Sequence, residues 1–412
     1  MAQQERFDLA IVGGGLVGAG LACALAESGL RLAVLEAVPF RSAAQPSYDD
    51  RTLALSQGSK RILDSMQLWP EVARRDATPI EHVHISDHGR PGMARLHARQ
   101  FGVEALGYVV TARVLGQVLL ERLQQCAAQL EIFCPAIVDA VDPHPDHARL
   151  AWTDAAGVRH DIDTRLLVLA DGGRSRTREL VGISAQVRDY RQSAVLCTVT
   201  PESGHGNWAY ERFTSSGPLA LLPTSSGRFA VVWTAGRDQV PELTSMPDDE
   251  FLLRLRQRAG DRAGRLDRVG QRNAYALNLV RVTDSVRPRT VVIGNAAHTV
   301  HPVAGQGFNL GLRDVAVLAE LLHDAAAAGR DIGDTALLQR YASLRRRDTR
   351  AVAAFTDSLI RLFANDFPPA VIMRSLGLLA LDTLPFAKRF LVRRTMGLAG
   401  WLPRLARGLP LG

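Results

Sequence analysis

The sequence lacks most of the features that mark disulfide-bonded, metal-binding or hydrolytic proteins. Only four cysteines occur among its 412 residues, and no two of them form a C-x-x-C pair. We therefore expect reduced thiols in a cytosolic protein rather than a disulfide framework or a metal centre. No G-x-S-x-G turn is present, which argues against a hydrolase with a nucleophile elbow. We also find no internal repeat and no low-complexity linker.

Long apolar runs are equally scarce. Residues 9–26 carry no charge, but their glycines fall at regular spacing between Asp8 and Glu27, which favours a buried strand and helix over a signal peptide or membrane span. No other segment predicts a transmembrane helix. A composition of 47% hydrophobic and 22% charged residues is typical of a soluble globular protein, and the length suits one large or two moderate domains.

The N-terminal segment carries a dinucleotide-binding pattern. Residues 7–12 predict a buried strand, followed by Gly13, Gly15 and Gly18 in G-x-G-x-x-G spacing and by a helix rich in small residues that ends near Gly29. A second strand, residues 32–35, runs into Glu36. In this pattern Gly13 makes the tight turn, Gly15 lets a pyrophosphate approach the backbone, and Gly18 allows close packing. Glu36 is positioned to accept hydrogen bonds from a ribose. The alternative, a glycine-rich loop without a ligand, leaves Glu36 unexplained.

A second glycine-rich segment, residues 291–315, also points to a ligand. Its apolar start predicts a strand that stops at Gly294, and Gly305, Gly307 and Gly311 then follow in a stretch that we expect to be too glycine-rich for helix. From Leu310 the apolar spacing is helical. The sequence therefore predicts a tight loop before a helix N-terminus, which suits an anionic partner such as a reduced flavin or a phosphate.

Between these two segments lies a third, which completes a family resemblance. Residues 166–170 predict a short strand that ends in Asp171-Gly172, and Ser175 and Arg178 complete a D-G-x-x-S-x-x-R pattern. In this order the three segments resemble those of class A FAD-dependent aromatic monooxygenases, over nearly the whole chain. The segments DDRTLALSQGSKRIL, ERFTSSGPLALLP and FTDSLIRLFAN are most similar to those of ubiquinone-biosynthesis hydroxylases, in particular the 2-octaprenyl-6-methoxyphenol hydroxylases.

The resemblance implies an α/β fold of the para-hydroxybenzoate hydroxylase type. A discontinuous FAD-binding domain would comprise residues 1–75, 100–185 and 285–345, with a strand at 132–138 meeting the adenine end. Residues 76–99 and 186–284 would form a substrate domain around an antiparallel sheet, with residues 82–87 at its edge. Residues 346–412 would form a C-terminal helical region that is both basic and apolar.

The resemblance also implies which residues bind the cofactor. Gly172, Asp171, Val138 and Gly294 would lie along FAD, and Pro302, Gly305, Gly307 and Asn309 would face the flavin, with His301 shaping the same loop. Arg51 would lie where flavin and nicotinamide meet, unless it is a surface residue paired with Asp49 or Asp50. Arg113 would contact the FAD phosphates, although it also fits a surface position at a helix start. No residue is identified as the catalytic base.

One position departs from the family pattern. Most members have Gly-Asp where this chain has Gly294-Asn295, and the aspartate binds the ribityl chain of FAD. An asparagine still accepts a hydrogen bond through its carbonyl oxygen and also donates two. The 2-octaprenyl-6-methoxyphenol hydroxylases tolerate this asparagine, so we expect Asn295 to bind the ribityl chain.

Two charge patterns remain. His82, His84 and His88 lack a further ligand at fixed spacing, so we expect no metal site. Residues 361–412 hold eight Lys or Arg against Asp366 and Asp382, which is +6 of the net +7, and large apolar residues lie among them. This mixture fits a membrane surface better than a nucleic acid. A helical subdomain with solvated arginines is the alternative.

The implied activity is hydroxylation of a polyprenyl phenol in ubiquinone biosynthesis, with FAD, O2 and NAD(P)H, through a flavin C4a-hydroperoxide. Since only one dinucleotide fingerprint is present, the nicotinamide cofactor would bind transiently at the surface. Such a protein would be cytoplasmic, attached peripherally to the inner membrane, and could contact other ubiquinone-biosynthesis proteins. The alternatives are a hydroxylase of a small soluble aromatic and a non-catalytic prenyl-binding protein of the same fold.

Overall fold

A computed structural model describes residues 6–40, 50–126, 129–365 and 367–412. The first sheet is parallel at its centre, in the order β18-β19-β11-β1-β2-β8, and a hairpin of β9 and β10 extends β11. Its strands are β1 (Arg6–Val12), β2 (Leu32–Leu35), β8 (Leu130–Phe133), β9 (Ile137–Pro143), β10 (Ala148–Thr153), β11 (Arg159–Leu169), β18 (Val286–Arg287) and β19 (Thr290–Val292). Both faces of the parallel strands are covered, which explains the unbroken apolar run of β2.

Helices cover one face of this sheet. They are α1 (Leu16–Leu25), α4 (Ala112–Gln125) and α8 (Gln306–Ala327), and their apolar residues form a single core cluster with the strands. Beside them lies a small sheet in the order β3-β7-β4, made of β3 (Thr52–Ser56), β7 (Gly107–Thr111) and β4 (Thr78–Ile80). The connecting helices are α2 (Gln57–Ser65) and α3 (Trp69–Asp76).

The predicted strand at 132–138 is wrong as a single element. β8 ends at Phe133 and pairs with β2, whereas β9 begins at Ile137 and pairs with β10. The interruption contains Pro135, which has no N–H to offer a neighbouring strand. The predicted strand at 166–170 is confirmed as the end of the longer β11.

The second large sheet has the order β20-β17-β12-β15-β14-β13-β5-β6, with β16 beside β12. Its strands are β5 (His82–Asp87), β6 (Met93–His97), β12 (Ala185–Pro201), β13 (Trp208–Thr214), β14 (Gly217–Thr224), β15 (Arg228–Gly236), β16 (Leu266–Val269), β17 (Asn273–Val282) and β20 (His298–Thr299). The expected antiparallel sheet is confirmed for β12 to β17. Residues 82–87 join this antiparallel sheet beside β13, as predicted, but β5 pairs with β13 in parallel, and β6 continues the sheet beyond β5.

Helices flank this second sheet on both faces. Its outer face packs against α6 (Val240–Ser245) and α7 (Asp248–Ala259). The C-terminal helices α9 (Thr335–Ala364), α10 (Pro368–Thr383) and α11 (Pro385–Thr395) reach its inner face near β5, β6 and β13. A short helix, α5 (Arg176–Leu180), follows β11. The exact boundaries of the domains stay a prediction.

Most of the large apolar side chains that the described residues expose lie between residues 362 and 401, on the C-terminal helices and in the turns beside them. They are Leu362, Phe367, Ile372, Met373, Leu376, Leu379, Leu384, Phe386, Phe390 and Trp401. Within the described ranges, no single helix is both long and apolar enough to cross a bilayer. α10 and α11 reach that length and apolarity only together, and they meet at a bend of 95°.

Candidate active site

The turn between β1 and α1 leaves no room for side chains. Gly13 has φ +102°, and a Cβ there would lie 2.7 Å from the carbonyl carbon of Ala170 at the end of β11. A Cβ on Gly18 would lie 1.9 Å from the carbonyl oxygen of Gly13. Gly15 is the N-cap of α1 and no side chain caps that end. The unpaired N–H groups of the first turn therefore remain available for an anion.

Glu36 is fixed at the end of β2. Its Oε2 accepts a hydrogen bond from the backbone N–H of Gly14 at 2.6 Å, and its Oε1 accepts one from Val38 at 2.8 Å. The residue is 7% exposed. A carboxylate has about four acceptor sites, so two bonds hold its orientation and leave capacity for ribose hydroxyls.

The Asp171-Gly172 segment lies at the end of β11, against the glycine turn. Oδ2 of Asp171 accepts a hydrogen bond from the Thr177 hydroxyl, whereas the buried Oδ1 has no partner among the described residues. A buried carboxylate oxygen without a donor is costly, which indicates that a ligand hydroxyl or amide completes it. Arg178 donates to the carbonyl oxygen of Ala296 at 2.8 Å and so ties this segment to the next.

Asp314, a buried residue of α8, fixes the Gly294-Asn295 turn through the backbone. Oδ2 of Asp314 accepts hydrogen bonds from the backbone N–H of Gly294 at 2.9 Å and from Nε2 of His298 at 2.7 Å. Its Oδ1 accepts from Nε of Arg345 at 2.6 Å. Burial would raise the pKa of Asp314, but His298 and Arg345 together hold that pKa well below its ordinary value. Asn295 itself is exposed at the tip of the turn.

The predicted start of the following helix is wrong. α8 begins at Gln306, not Leu310, after a single 3-10 turn at Val303–Gly305, so Gly307 and Gly311 are helical. Gly305 supplies the left-handed residue at the junction, with φ +61°, and a Cβ there would meet the Cβ of Ala54 at 2.7 Å. A Cβ on Gly307 would meet nothing within 4 Å. Glycine at 311 is needed for packing, since a Cβ there would lie 2.9 Å from Cγ2 of Val17.

Asn309 holds the loop rather than offering its side chain to a ligand. Its Oδ1 accepts from the Ser56 N–H at 2.8 Å and the Ser59 hydroxyl at 2.6 Å. Its Nδ2 donates to the carbonyl oxygens of Ala54 and Gly305 at 2.8 and 2.7 Å. These bonds use both amide protons and both oxygen lone pairs. Asn309 therefore joins β3, α2 and the Pro302–Gly305 turn. The buried His301 directly precedes this turn in the sequence.

The remaining predicted residues divide between the site and the surface. The Arg51 guanidinium lies 5.2 Å from the ring centre of Tyr275 on β17, between the small sheet and the large one. Arg113 is exposed and forms an ion pair with Asp50, which supports the surface interpretation. Val138 is buried in the core beside β10, and Asp49 lies outside the described residues.

The three histidines do not converge. His84 points to the outer face of β5 near Tyr210, while Nδ1 of His82 lies 2.9 Å from Nδ1 of His97, with Trp208 against both rings. Among the residues described, no three potential metal ligands lie together.

The three glycine-bearing segments meet at one edge of the first sheet. The uncapped α1 terminus, the oriented Glu36 and the unpartnered Asp171 oxygen form an elongated cradle whose donors and acceptors fit a dinucleotide. Asp314, Arg345 and Tyr275 were missed by sequence reasoning. Asp314 and Arg345 act on the turn from different helices, and no short motif reveals such a contact.

Comparison with known proteins identifies the cofactor class. The profile of the family described as "FAD binding domain" matches residues 6–356. "Ubiquinone hydroxylase UbiL" of Rhodospirillum rubrum is 40% identical over 98% of this chain and 93% of its own length. "3-demethoxyubiquinol 3-hydroxylase" of Escherichia coli is 30% identical over 95% and 98%. Together, these matches agree with the cradle, which FAD fits.

The fold has solved counterparts. The crystal structure of p-nitrophenol 4-monooxygenase PnpA from Pseudomonas putida superposes with a TM-score of 0.79 at 21% identity, covering 96% of this chain and 99% of that one. Pseudomonas aeruginosa PqsL in complex with 2-aminobenzoylacetate gives 0.76 at 22% identity, covering 91% of this chain and 100% of that one. At such identities the likeness concerns the fold. The family match and the full-length relatives go further: the chain belongs to the FAD-dependent aromatic monooxygenases, in the family of the ubiquinone-biosynthesis hydroxylases.

Proposed function

We propose that this enzyme hydroxylates the aromatic ring of a polyprenyl phenol in ubiquinone biosynthesis, using FAD, NAD(P)H and O2. The observation that carries the proposal is an apolar cluster leading from the C-terminal helices to the flavin-facing turn. Its members are Ala94, Phe213, Val303, Phe363 and Leu378. Val303 directly follows Pro302, and Leu378 lies on α10, so apolar side chains connect the exposed helices to the site.

This connection suits a substrate with a long hydrocarbon tail. The rings of Phe213 and Phe363 stack with their centres 3.7 Å apart, which joins β13 to the end of α9. Burying hydrocarbon against such side chains contributes about 25 cal/mol per Å² removed from water. A small soluble aromatic gains nothing from this part of the molecule.

In this proposal each part of the cradle has its own role. The α1 N-terminus holds the pyrophosphate, Glu36 the adenosine ribose, and Asp171 and Asn295 other polar groups of FAD. Reduced FAD supplies the activation of O2. Gly307, with open space before its α-carbon, allows the close approach of the ring system, and Val303 and Phe213 keep water away from it.

The exposed face of α10 and α11 would bind the membrane in which such a substrate resides. Phe386 and Phe390 are 71% and 68% exposed, and Arg389, Arg393 and Arg394 lie beside them. Arg374, one of the cations that the sequence suggested for this surface, is instead buried and paired with Asp87 at 2.6 Å. Apolar burial and cation attraction together would give reversible peripheral attachment.

The test compares two phenols that share one ring, with and without a prenyl tail, in FAD-loaded enzyme with NAD(P)H. We expect a hydroxylated product whose oxygen comes from O2, and a kcat/KM at least tenfold higher for the prenylated phenol. Equal kcat/KM for both would favour the second candidate, a hydroxylase of small soluble aromatics. FAD-loaded enzyme that hydroxylates neither phenol would contradict the proposal.

A further inference from the structure

The strand β13 presents one carboxyl group to the inner face of the large sheet. Side chains alternate along a strand, and Tyr210 packs on the outer face with Phe229, whereas Ala209 and Phe213 belong to clusters of the inner face. Glu211 lies between Ala209 and Phe213 and therefore projects to the inner side. Its cross-strand neighbours are Ala220 and Ile85, neither of which carries charge.

The position of Glu211 places it opposite the flavin-facing turn. Two residues further on, Phe213 packs against Val303 of that turn, and two residues earlier, Ala209 packs against Val109 of β7. A strand rises about 3.3 Å per residue, so each of these contacts lies roughly 7 Å from Glu211 along β13. The carboxyl thus lies on the face of the large sheet that the turn and the small sheet border, which is where a substrate ring would lie to meet the flavin.

No group in the described part of the chain pairs with this carboxyl. Among the described residues no hydrogen bond or ion pair reaches Glu211, and it is half-buried rather than fully covered. Burial raises the pKa of Glu211 to about 8. A half-buried carboxyl with a raised pKa and no partner among the described residues is the kind of group from which a catalytic base is drawn.

The charged groups around it are already engaged or point elsewhere. Arg212, the next residue, lies on the outer face and donates to the Ser86 hydroxyl at 3.3 Å. On the inner face Asp87 of β5 and Arg374 of α10 pair with each other, and Arg51 lies against Tyr275 of β17. An ionised carboxyl among apolar side chains is costly unless a ligand pairs with it.

We propose that Glu211 is the catalytic base for the substrate's ring hydroxyl, which rests on the proposed function. The ionised carboxylate accepts a hydrogen bond from the phenol O–H and takes its proton. The electron pair of that O–H bond moves into the ring, which makes the ring carbon nucleophilic toward the transferred oxygen. The hydrogen of that carbon then leaves as a proton to water, the electron pair of its C–H bond restores the aromatic ring, and Glu211 returns its proton to the phenolate oxygen.

The test uses Glu211→Gln, which keeps the size of the side chain but cannot take a proton. We expect kcat for the phenol to fall about 100-fold, since general-base catalysis contributes about 10²–10⁴. KM should change less than tenfold, because Gln still accepts the phenol hydrogen bond. In the wild type kcat/KM should rise with pH through about 8, and the variant should lose this rise.

A second substrate separates catalysis from structure. An electron-poor phenol of low pKa is already ionised in water, so Glu211→Gln should hydroxylate it nearly as fast as the wild type. The matched control is Glu202→Gln, the same change at an exposed residue, which should behave as the wild type. Wild-type kcat and pH profile in Glu211→Gln, or equal losses for both phenols, would overturn the role of Glu211 while leaving the proposed function intact. A wild type without hydroxylase activity would overturn both.

Discussion

The cofactor side of the molecule, meaning the elements around the Gly294 turn, buries its charged side chains. The C-terminal helices instead expose both charged and apolar side chains. Around the Gly294 turn, charged side chains are buried and paired: Asp314 is 1% exposed and Arg345 is 6% exposed. On α11, Phe386 and Phe390 are exposed, and Arg389, Arg393 and Arg394 have no carboxylate partner among the described residues. The first arrangement fixes geometry from within. The second leaves free energy to be gained from an external surface.

Removing one buried charge should lower the free energy of unfolding far more than removing an exposed one. Asp314→Asn leaves His298 without its carboxylate and Arg345 with Asp348 alone, and breaking a buried pair typically costs about 3–5 kcal/mol. Arg361→Gln, in a pair with Asp357 whose arginine side chain is 67% exposed, should cost less than about 1 kcal/mol. Denaturant unfolding measures both free energies, and similar values for the two variants would contradict the contrast.

Acid should lower the free energy of unfolding through a histidine on the cofactor side. Burial lowers the pKa of His301 to about 4, below the ordinary value of about 6.5. The unfolded chain therefore binds a proton that the folded chain does not, and stability falls as the pH drops from about 6.5 to 4, by about 3 kcal/mol in total for this residue. His84 on β5 of the large sheet, whose pKa burial also lowers to about 4, adds a loss of the same sign outside the cofactor side.

The check is the free energy of unfolding of His301→Asn as a function of pH. Its slope between pH 6.5 and 4 should be shallower than that of the wild type, and the double variant with His84→Asn shallower still. An unchanged slope in both variants would show that these histidines are accessible to protons in the folded protein.

Membrane binding by α11 can be tested by removing its positive charges while keeping its apolar side chains. Arg389, Arg393 and Arg394 replaced by Gln should weaken binding to anionic liposomes by roughly 3 kcal/mol, at about 1 kcal/mol per cation, and leave binding to neutral liposomes unchanged. Salt should weaken wild-type binding only in part, because the apolar contribution is not screened. Sedimentation with vesicles measures both effects.

The matched control makes the same charge change elsewhere, at the exposed Arg256, Arg268 and Arg330. It should sediment as the wild type does. If both triple variants lose binding equally, net charge and not the α11 surface is responsible. If the wild type ignores anionic vesicles, the C-terminal helices form an ordinary packed subdomain.

The smallest expected effect concerns Asn295. If its side chain holds the ribityl hydroxyls, Asn295→Leu should weaken FAD binding by about 0.5–1.5 kcal/mol, the net contribution of one hydrogen bond. Asn295→Asp should retain FAD, because an aspartate accepts the same bond. Titration of the apoprotein with FAD gives the three affinities, and equal values would show that Asn295 does not contact the cofactor.

The sequence predicts those parts of the site that neighbouring residues determine, and it does not predict those that depend on contacts between distant elements. The tight turn at Gly13, the close packing at Gly18 and the position of Glu36 at the end of β2 could be predicted because one strand, one turn and one helix determine them within about twenty residues, whereas their contacts with FAD stay a prediction. The start of α8 was misplaced because glycine content argued against a helix, whereas contacts of Gly305 with β3 and of Gly311 with α1 decide it. Asp314 and Glu211 could not be found from the sequence because the partners of Asp314 and the strand neighbours of Glu211 lie on elements distant in the chain.

The buried pair of Arg374 and Asp87 has a mechanical consequence. Each side chain is 3% exposed, and Arg374 also donates to the carbonyl oxygens of Leu362 and Asn365, so the one guanidinium fastens α10 both to β5 and to the end of α9. Pulling α10 away would strand an uncompensated charge, which is far more costly than losing apolar contacts of the same area. We therefore expect α10 to move as one rigid unit with β5 and the end of α9. A membrane bound to α10 would then lie at a fixed distance from the large sheet.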